Sequence, residues 1–213
     1  MKNLTLSSLS IVLLLTACAP NILNGFRKSE TKEIAESDLY PIFRQSAGIY
    51  FFNMGISFRK NNFSGMLILK KETNDTYRAV MNSYFGMSVF DMEFGKDFFT
   101  VHYCIEGLNK KRIINTLRND FENLFFFEPE EKNQATVYLS PKNDSLKVYK
   151  IKKDNHYYMV NTESKELLRM EIPGRISDLR YRFSDYGTNR FPSQINIKHT
   201  NIGLEIRLTG IEQ

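Results

Sequence analysis

The residue types that most often perform catalysis or bind metals are sparse in this sequence and far apart. None of the three histidines has a second ligand at the spacing that a zinc site requires: His102, His156 and His199. The sequence also lacks a Gly-x-Ser-x-Gly motif, a glycine-rich phosphate-binding loop and a Cys-x-x-Cys pair. The acidic run 128–131 is typical of a solvated loop. We therefore predict no catalytic residue, no metal and no cofactor, and we interpret the histidines as strand residues at a sheet surface.

Cys18 is the residue whose surroundings predict a defined chemical modification. Leu15, Thr16 and Ala17 precede it, and together the four residues resemble the lipobox of bacterial lipoprotein precursors. In such precursors cleavage falls just before the cysteine, and the cysteine sulfur receives a diacylglycerol. We expect Cys18 to be acylated and to hold the protein on a membrane, because two or more acyl chains anchor a protein stably.

The residues before the lipobox are typical of a signal peptide. Lys2 is followed by a mostly apolar stretch from Leu9 to Leu15, which is shorter than the roughly 20 apolar residues that a membrane-spanning helix needs. We predict that residues 1–17 are removed. An ordinary secretory signal followed by a chance cysteine stays open as the alternative.

Composition predicts one folded domain after that removal. The remaining 196 residues include 17 Phe and 11 Tyr, which supply enough apolar surface for a core. The signal peptide contains one of the 29 basic residues, so 28 basic residues face 24 acidic ones and give a formal charge of +4. The basic residues are scattered rather than clustered, which argues against nucleic-acid binding.

Residues 18–47 lack a sustained apolar period. The stretch from Ala19 to about Ser37 is polar and is predicted to be a tether between the lipid and the folded domain. A short helix is predicted from Asp38 to Ser46, with Asp38 as its N-terminal cap.

From Gly48 the apolar residues recur with a period of two, which indicates strands with one buried face. Five consecutive strands reach Ile105 as a meander, and further strands run from about Ala135 towards the C-terminus. Residues 48–213 are therefore predicted to form a mainly β domain. A twisted sheet of about ten or eleven antiparallel strands tends to curl, so we expect a curved sheet or incomplete β-barrel.

One segment interrupts the strands with helical spacing. Between residues 109 and 125, three large apolar side chains fall on one stripe of a predicted helix: Ile113, Leu117 and Phe121. This stripe is predicted to cover the concave face or the open end of the curved sheet as a helical lid.

The predicted inner face is rich in methionine and phenylalanine. Methionine adapts its shape, which suits a cavity for flexible acyl chains, although plain core packing explains the same residue types. The candidate cavity residues are Phe52, Met54, Ile56, Leu67, Leu69, Met81, Phe90 and Met92.

The order of these features resembles the LolA/LolB superfamily of lipoprotein-localisation factors. The resemblance covers about residues 48–211 and includes two short stretches, Phe63-Ser64-Gly65-Met66-Leu67-Ile68-Leu69-Lys70 and Phe191-Pro192-Ser193-Gln194-Ile195-Asn196-Ile197. With the lipobox added, the chain is similar to the lipidated, LolB-type members at the outer membrane.

The resemblance implies an unclosed barrel with a helical lid whose apolar cavity takes up the acyl chains of lipoproteins without covalent chemistry. One feature departs from the LolB pattern. LolB-type proteins have an apolar residue at the tip of a projecting loop early in the meander, whereas the turn that we match to it, Lys71 to Asp75, is polar. No family residue is carried over to that turn.

The leading hypothesis is a non-enzymatic, monomeric lipoprotein on the periplasmic face of the outer membrane. It would bind lipoprotein acyl chains, receive them from a periplasmic LolA-like carrier and pass them on. One alternative is an envelope-assembly lipoprotein with a filled interior that docks other proteins. Another is a hydrolase or transferase acting on envelope glycolipids, which requires an acid/base pair in a cleft.

Overall fold

The computed structural model describes residues 21–39, 48–72, 76–95, 97–125, 132–174, 178–187 and 191–211. The predicted signal peptide, the lipobox and Cys18 lie outside these residues, as do most of the predicted helix 38–46 and the acidic run 128–131. Neither of the two α-helices within the described ranges has the length and hydropathy of a transmembrane span.

The described residues form one antiparallel sheet of thirteen strands with one long helix packed on it. In chain order the elements are β1 Arg27–Ala35, α1 Glu36–Leu39, β2 Ile49–Phe58, β3 Asn61–Lys71, β4 Tyr77–Ser83, β5 Ser88–Phe94, β6 Phe99–Cys104, α2 Lys111–Phe125, β7 Lys132–Leu139, β8 Leu146–Ile151, β9 Tyr157–Asn161, β10 Glu166–Ile172, β11 Leu179–Tyr186, β12 Pro192–His199 and β13 Leu204–Gly210. Across the sheet the order is β1-β7-β8-β9-β10-β11-β12-β13-β2-β3-β4-β5-β6. The predicted mainly β class with a mid-chain helix is confirmed, with more strands than the predicted ten or eleven.

The period-two pattern places one face of the sheet in the core. In β2, Phe52, Met54 and Ile56 are each 1% exposed, whereas the intervening residues are more exposed. The partner strands continue this face, since Phe52 lies opposite Leu67 in β3 and Met54 lies opposite Leu208 in β13. A one-residue shift of register would move all of these side chains to solvent, so burial fixes the pairing.

The sheet curls around helix α2. Adjacent helical residues reach strands that lie five and six positions apart in the sheet: Asp120 contacts His199 in β12 and Tyr181 in β11, and Phe121 contacts Phe90 in β5. Six strand spacings of about 4.8 Å would span roughly 29 Å in a flat sheet, whereas a helix with its side chains is about 10 Å wide. The buried face is therefore concave, and the helix fills it. The strands β1 and β6 form the two open edges.

The N-terminal segment differs from the prediction of a tether. Residues 21–23 form a 3₁₀ turn, and Arg27–Ala35 form strand β1, which pairs with β7 at one edge of the sheet. The first seven residues of β1 are exposed on both sides of the strand, so the sequence has no apolar alternation that reveals it. Charged residues on an edge strand also oppose pairing with another chain. The predicted helix 38–46 overlaps only Asp38 and Leu39 of α1 in the described residues.

Candidate functional site

All eleven residues predicted to line a cavity or form a lid lie in one buried core. The eight predicted cavity residues are at most 1% exposed, and the three predicted lid residues are at most 4% exposed. The helix buries the stripe Ile113, Leu117, Asp120, Phe121, Leu124 and Phe125. The sequence therefore identified the residues that share the concave face and the helix face that covers them. Their role in binding an acyl chain stays a prediction.

One side of α2 packs through aromatic rings onto strands β4 and β5. The ring centroid of Phe121 lies 6.1 Å from that of Phe90 and 5.6 Å from that of Phe94. The ring of Phe125 stacks on Tyr77 at 4.7 Å and meets Phe94 edge-on at 5.7 Å. We call these five residues the aromatic seam. Such ring pairs add about 0.5–1.5 kcal/mol each beyond the burial of their area, so this side of the helix is firmly attached.

The other side of α2 borders an open groove. A pocket of about 210 Å³ lies between the start of the helix and the β12–β13 turn, lined by Phe58, Arg59, Arg112, Ile113, Thr116, Asn201, Ile202 and Leu204. A second pocket of about 320 Å³ lies further along, lined by Thr116, Asn119, Glu122, Asn123, Ile172, Gly174, Leu179 and His199. Both pockets share Thr116, so together they form one helix groove facing strands β10 to β13.

A buried polar pair crosses from the helix to the sheet at this groove. His199 Nε2 in β12 lies 2.8 Å from Oδ1 and 3.0 Å from Oδ2 of Asp120. The hydroxyl of Tyr181 in β11 donates a hydrogen bond to the backbone carbonyl of Asp120 at 3.1 Å. We call Asp120, His199 and Tyr181 the polar latch. Breaking it leaves buried polar groups unsatisfied, at about 1–3 kcal/mol for each group.

Burial makes the latch sensitive to protonation. Asp120 has no exposed surface, and burial raises its pKa to about 6, while the hydrogen bond and the charge of His199 oppose that rise. His199 also lines the second pocket of the helix groove. The buried Asp120–His199 contact therefore lies beside this pocket.

The predicted acyl-chain site is closed in this structure. Pockets that hold small ligands measure about 300–1,000 Å³, so one pocket of the groove is below that range and the other is at its lower limit. The predicted cavity residues lie directly beneath the helix and have no exposed surface to offer while it is docked. Access of a large apolar ligand to them requires α2 to move away from the sheet.

A second exposed feature is the turn between β4 and β5. Tyr84 is 63% exposed, Phe85 is 91% exposed and Met87 is 62% exposed. The turn is nonetheless well bonded, since the Gly86 N–H donates to the Ser83 carbonyl at 2.9 Å and the Met87 N–H donates to the Ser83 hydroxyl at 3.1 Å. We call Tyr84–Met87 the apolar turn. Its hydrogen bonds hold the Phe85 ring in solvent, and an exposed apolar group of this size marks a contact surface.

The base of this turn explains the glycine in the first motif stretch. Strand β4 has an irregularity between Met81 and Asn82 where it pairs with β5. At that point the Asn82 backbone approaches Gly65 so closely that a Cβ atom on Gly65 would lie 2.0 Å from the Asn82 carbonyl oxygen. Only glycine fits there. Gly65 thus allows the close packing of β3 against the strand that carries the apolar turn.

The prediction that the histidines are surface residues of strands fits His102 but not His199. His102 pairs with Glu93 at 2.8 Å in an exposed position, as expected of a surface strand residue. His199 is instead buried, since it supports the helix, and His156 is half-buried just before β9, where burial lowers its pKa. No three His, Cys, Asp or Glu side chains come together as a metal site within the described ranges. Cys104, the one cysteine in the part of the chain that the structure describes, is half-buried, and burial raises the pKa of its thiol.

Comparison with known proteins supports the fold. No protein-family model matches the chain, and no curated protein sequence is significantly similar to it. A LolA superfamily protein from Nitrosomonas europaea superposes with a TM-score of 0.51 at 10% identity, over 84% of this chain and 91% of that one. The chain shares the fold of that protein. A proposed outer-membrane lipoprotein-sorting domain from Vibrio parahaemolyticus gives a TM-score of 0.32 at 9% identity, over 78% of this chain and 84% of that one, which is too low to support an argument.

Two functional features escaped the sequence analysis. The polar latch joins residues 79 positions apart, and a single Asp on a helix and a single His in a strand give no pairing signal. The apolar turn was not predicted, because Tyr84 and Phe85 continue the apolar pattern of β4 and were assigned to that strand. The exposed apolar turn Tyr84–Met87 comes one turn later in the meander than the polar turn 71–75, of which 73–75 lie outside the described residues.

Proposed function

We propose that this protein is a lipid-anchored, non-enzymatic carrier that binds the acyl chains of lipoproteins at the periplasmic face of the outer membrane. In this proposal it is LolB-like: Cys18 is acylated, and cargo comes from a LolA-like periplasmic carrier. The observation that carries the proposal is the way helix α2 covers the concave face. It is firmly packed along the aromatic seam and held along the helix groove by one polar latch.

The energetics of exchanging the helix for an acyl chain are balanced. Withdrawing the apolar face of α2 exposes five large side chains, which at about 1.5–3 kcal/mol each amounts to roughly 8–15 kcal/mol. Those side chains are Ile113, Leu117, Phe121, Leu124 and Phe125. An acyl chain of about 15 methylenes that replaces them recovers about 12 kcal/mol at ~0.8 kcal/mol per methylene. A near-even exchange permits both uptake and release.

The apolar turn supports a role at a membrane. In the LolB-type resemblance, a projecting apolar loop inserts lipoproteins into the membrane, and Phe85 is the most exposed large apolar residue among the described ones. A ring of this kind gains free energy by entering the interfacial region of a bilayer. We assign Phe85 the membrane-contacting position in the proposed transfer.

The test is displacement of a fluorescent fatty acid by an acylated peptide, using the mature chain with Cys18→Ser so that its own lipid is absent. The Cys18→Ser protein without further substitution is expected to bind the fluorescent fatty acid. Leu117→Glu is expected to abolish binding, because it places a charge on the apolar helix face. Asn115→Glu is the matched control, since Asn115 lies on the exposed face of the same helix. A folded Leu117→Glu protein that binds like the control contradicts the proposal.

One observation favours the alternative of protein docking. Edge strand β6 and the turn before it expose Phe98, Val101 and Tyr103, which are 44%, 36% and 47% exposed. An unpaired strand edge with apolar side chains can accept a strand from another protein. If the protein fails to bind acyl chains but a Val101→Lys, Tyr103→Lys variant loses a partner captured from envelope extract, the docking function replaces the carrier function.

A further inference from the structure

One rim of the curved sheet gathers the apolar turn, the mouth of the helix groove and a set of cations. The strand register places the β2–β3, β4–β5 and β12–β13 turns at the same rim, because Phe58 pairs with both Asn61 and Leu204 and Gly65 pairs with Ser83. The connection from β6 into helix α2 leaves the same rim, since Phe90 pairs with Cys104. We call this the turn rim.

Five exposed cations lie on this rim, in the β2–β3 turn and at the start of helix α2, and form what we call the basic collar: Arg59, Lys60, Lys110, Lys111 and Arg112. Within the described ranges none of them forms an ion pair with a carboxylate, and Glu106 is the only acidic residue in the turn 59–60 and the connection 105–110. Arg59 and Arg112 also line the mouth of the helix groove.

The opposite rim has a different charge. Its turns at 140–145 and 162–165 have Lys142 and Lys165, each accompanied by an acidic residue, Asp144 and Glu163. Further acidic residues at that rim are Glu72 and Asp97. The opposite rim also has Arg27 and Lys28 at the start of β1 and Lys70 and Lys71 at the end of β3, and the turn rim has Asp154 and Asp178 outside the collar. The basic collar is therefore a local excess of positive charge on the same rim as the apolar turn.

The N-terminal segment is docked near the turn rim. Ile22 is 1% exposed in a cluster with Val148 and Tyr157, and its N–H donates to the buried Glu171 at 3.1 Å. Tyr157 begins β9 and Glu171 lies at the end of β10, and both of these strand ends are at the turn rim. Cys18 and Asn21 are three Cα-to-Cα steps apart along the chain, so at most about 11 Å separates them. In the proposed lipid-anchored form, the point of lipid attachment is therefore within that distance of the docked segment.

We propose that the turn rim is a membrane-binding surface for anionic lipid headgroups, with the basic collar on the headgroups and the apolar turn in the bilayer. The proposal rests on the membrane contact included in the proposed function and adds the lipid class and the orientation of the protein. Each cation next to an anionic bilayer strengthens binding about fivefold. This orientation directs the mouth of the helix groove, and any acyl chain leaving it, towards the membrane.

Vesicle co-sedimentation of the mature full chain with Cys18→Ser tests this surface. The vesicles are phosphatidylcholine alone and phosphatidylcholine mixed with phosphatidylglycerol. The expected result is tighter binding to the mixed vesicles, reduced at least about tenfold by Lys60→Gln, Lys111→Gln. The control pair is Lys142→Gln, Lys165→Gln on the opposite rim, which is expected to leave binding unchanged. Salt near 1 M, where the screening length is roughly 3 Å, is expected to abolish the preference.

The outcomes separate this proposal from the carrier function. Any of three results overturns the proposed surface for anionic lipids: equal binding to both vesicle types, no binding to either, or equal losses of binding in the two lysine pairs. Phe85→Ser is expected to weaken binding to both vesicle types while preserving the charge preference. Lys60 and Lys111 do not line the groove, so fatty-acid displacement is expected to be unchanged by their substitution. Absent displacement in every variant would instead overturn the carrier function and leave the vesicle result standing.

Discussion

The two sides of helix α2 meet the sheet in different ways. Towards β4 and β5 the helix packs ring on ring along the aromatic seam. Towards β10 to β13 it faces a groove lined by Thr116, Asn119 and Asn123, and the hydrogen bonds of the polar latch cross that gap. This asymmetry supports the proposed opening of the helix as a lid, with the aromatic seam as its hinge and the groove as the side that separates first.

The largest effect is expected on the seam side. Phe121→Ala removes the ring that contacts both Phe90 and Phe94, and the cavity left behind should lower the free energy of unfolding by about 3–5 kcal/mol. Phe85→Ala is the matched control, because the same truncation at a 91% exposed ring should change that free energy by less than about 0.5 kcal/mol. Denaturant unfolding of both variants measures the difference. Equal losses would show that the seam does not secure the helix.

A smaller loss is expected when the latch is broken. Asp120→Ala leaves His199 buried without its partner and should lower the free energy of unfolding by about 1–3 kcal/mol. It should also speed acyl uptake in stopped-flow fluorescence, because the groove side is released while the seam stays intact. Phe121→Ala, which changes the seam side and not the groove side, should not speed acyl uptake. Slower uptake by a folded Asp120→Ala protein would contradict the hinge.

Tyr181→Phe tests the other member of the latch. It removes one hydroxyl that donates to the Asp120 carbonyl and keeps the ring, so the expected loss is about 0.5–1.5 kcal/mol in denaturant unfolding. Tyr84→Phe is a suitable control, since the Tyr84 hydroxyl donates to Asn53 at an exposed site. A larger loss for Tyr84→Phe than for Tyr181→Phe would reverse the expected ranking.

The remaining effect is a dependence on pH. Burial raises the pKa of Asp120 from 3.8 to about 6, so the folded state holds its proton more tightly than the unfolded state. Its contribution to stability is fully present below pH 3.8 and is lost as pH rises through about 6. The hydrogen bond and the charge of His199 oppose the effect of burial, and the value of about 6 is the balance of the two. Comparison with Asp120→Asn between pH 4 and 7 measures it, and a wild type that gains stability relative to that variant as pH rises would contradict the sign.

The sequence predicted those parts of the fold that burial imposes on local pattern. Helix α2 was predicted at 109–125 and lies at Lys111–Phe125, because its stripe must face the core. Strand β2 was predicted for the same reason. Strand β1 was not predicted, since its first seven side chains are exposed on both faces. The candidate site was predicted as far as its apolar lining, whereas the latch depends on long-range pairing that local patterns do not encode.

The apolar turn shows a second limit. Its residues continue the apolar character of β4, and only the turn hydrogen bonds of Ser83 reveal that Phe85 projects into solvent. The polar turn at 71–75 suggested that the membrane-contacting loop was missing from this chain. The structure has an exposed apolar turn one turn later in the meander, and the proposed function gives that turn the membrane contact.

Photolabelling with a fatty acid that carries a diazirine near its terminal methyl group, followed by mass spectrometry of the digested protein, tests the central claim most directly. If acyl chains displace α2 from the concave face, the label is predicted on peptides containing Phe52, Leu69, Met81 or Met92, and Leu117→Glu is predicted to eliminate it. Labelling confined to the apolar turn and the β6 edge, with the concave face untouched, would contradict the account.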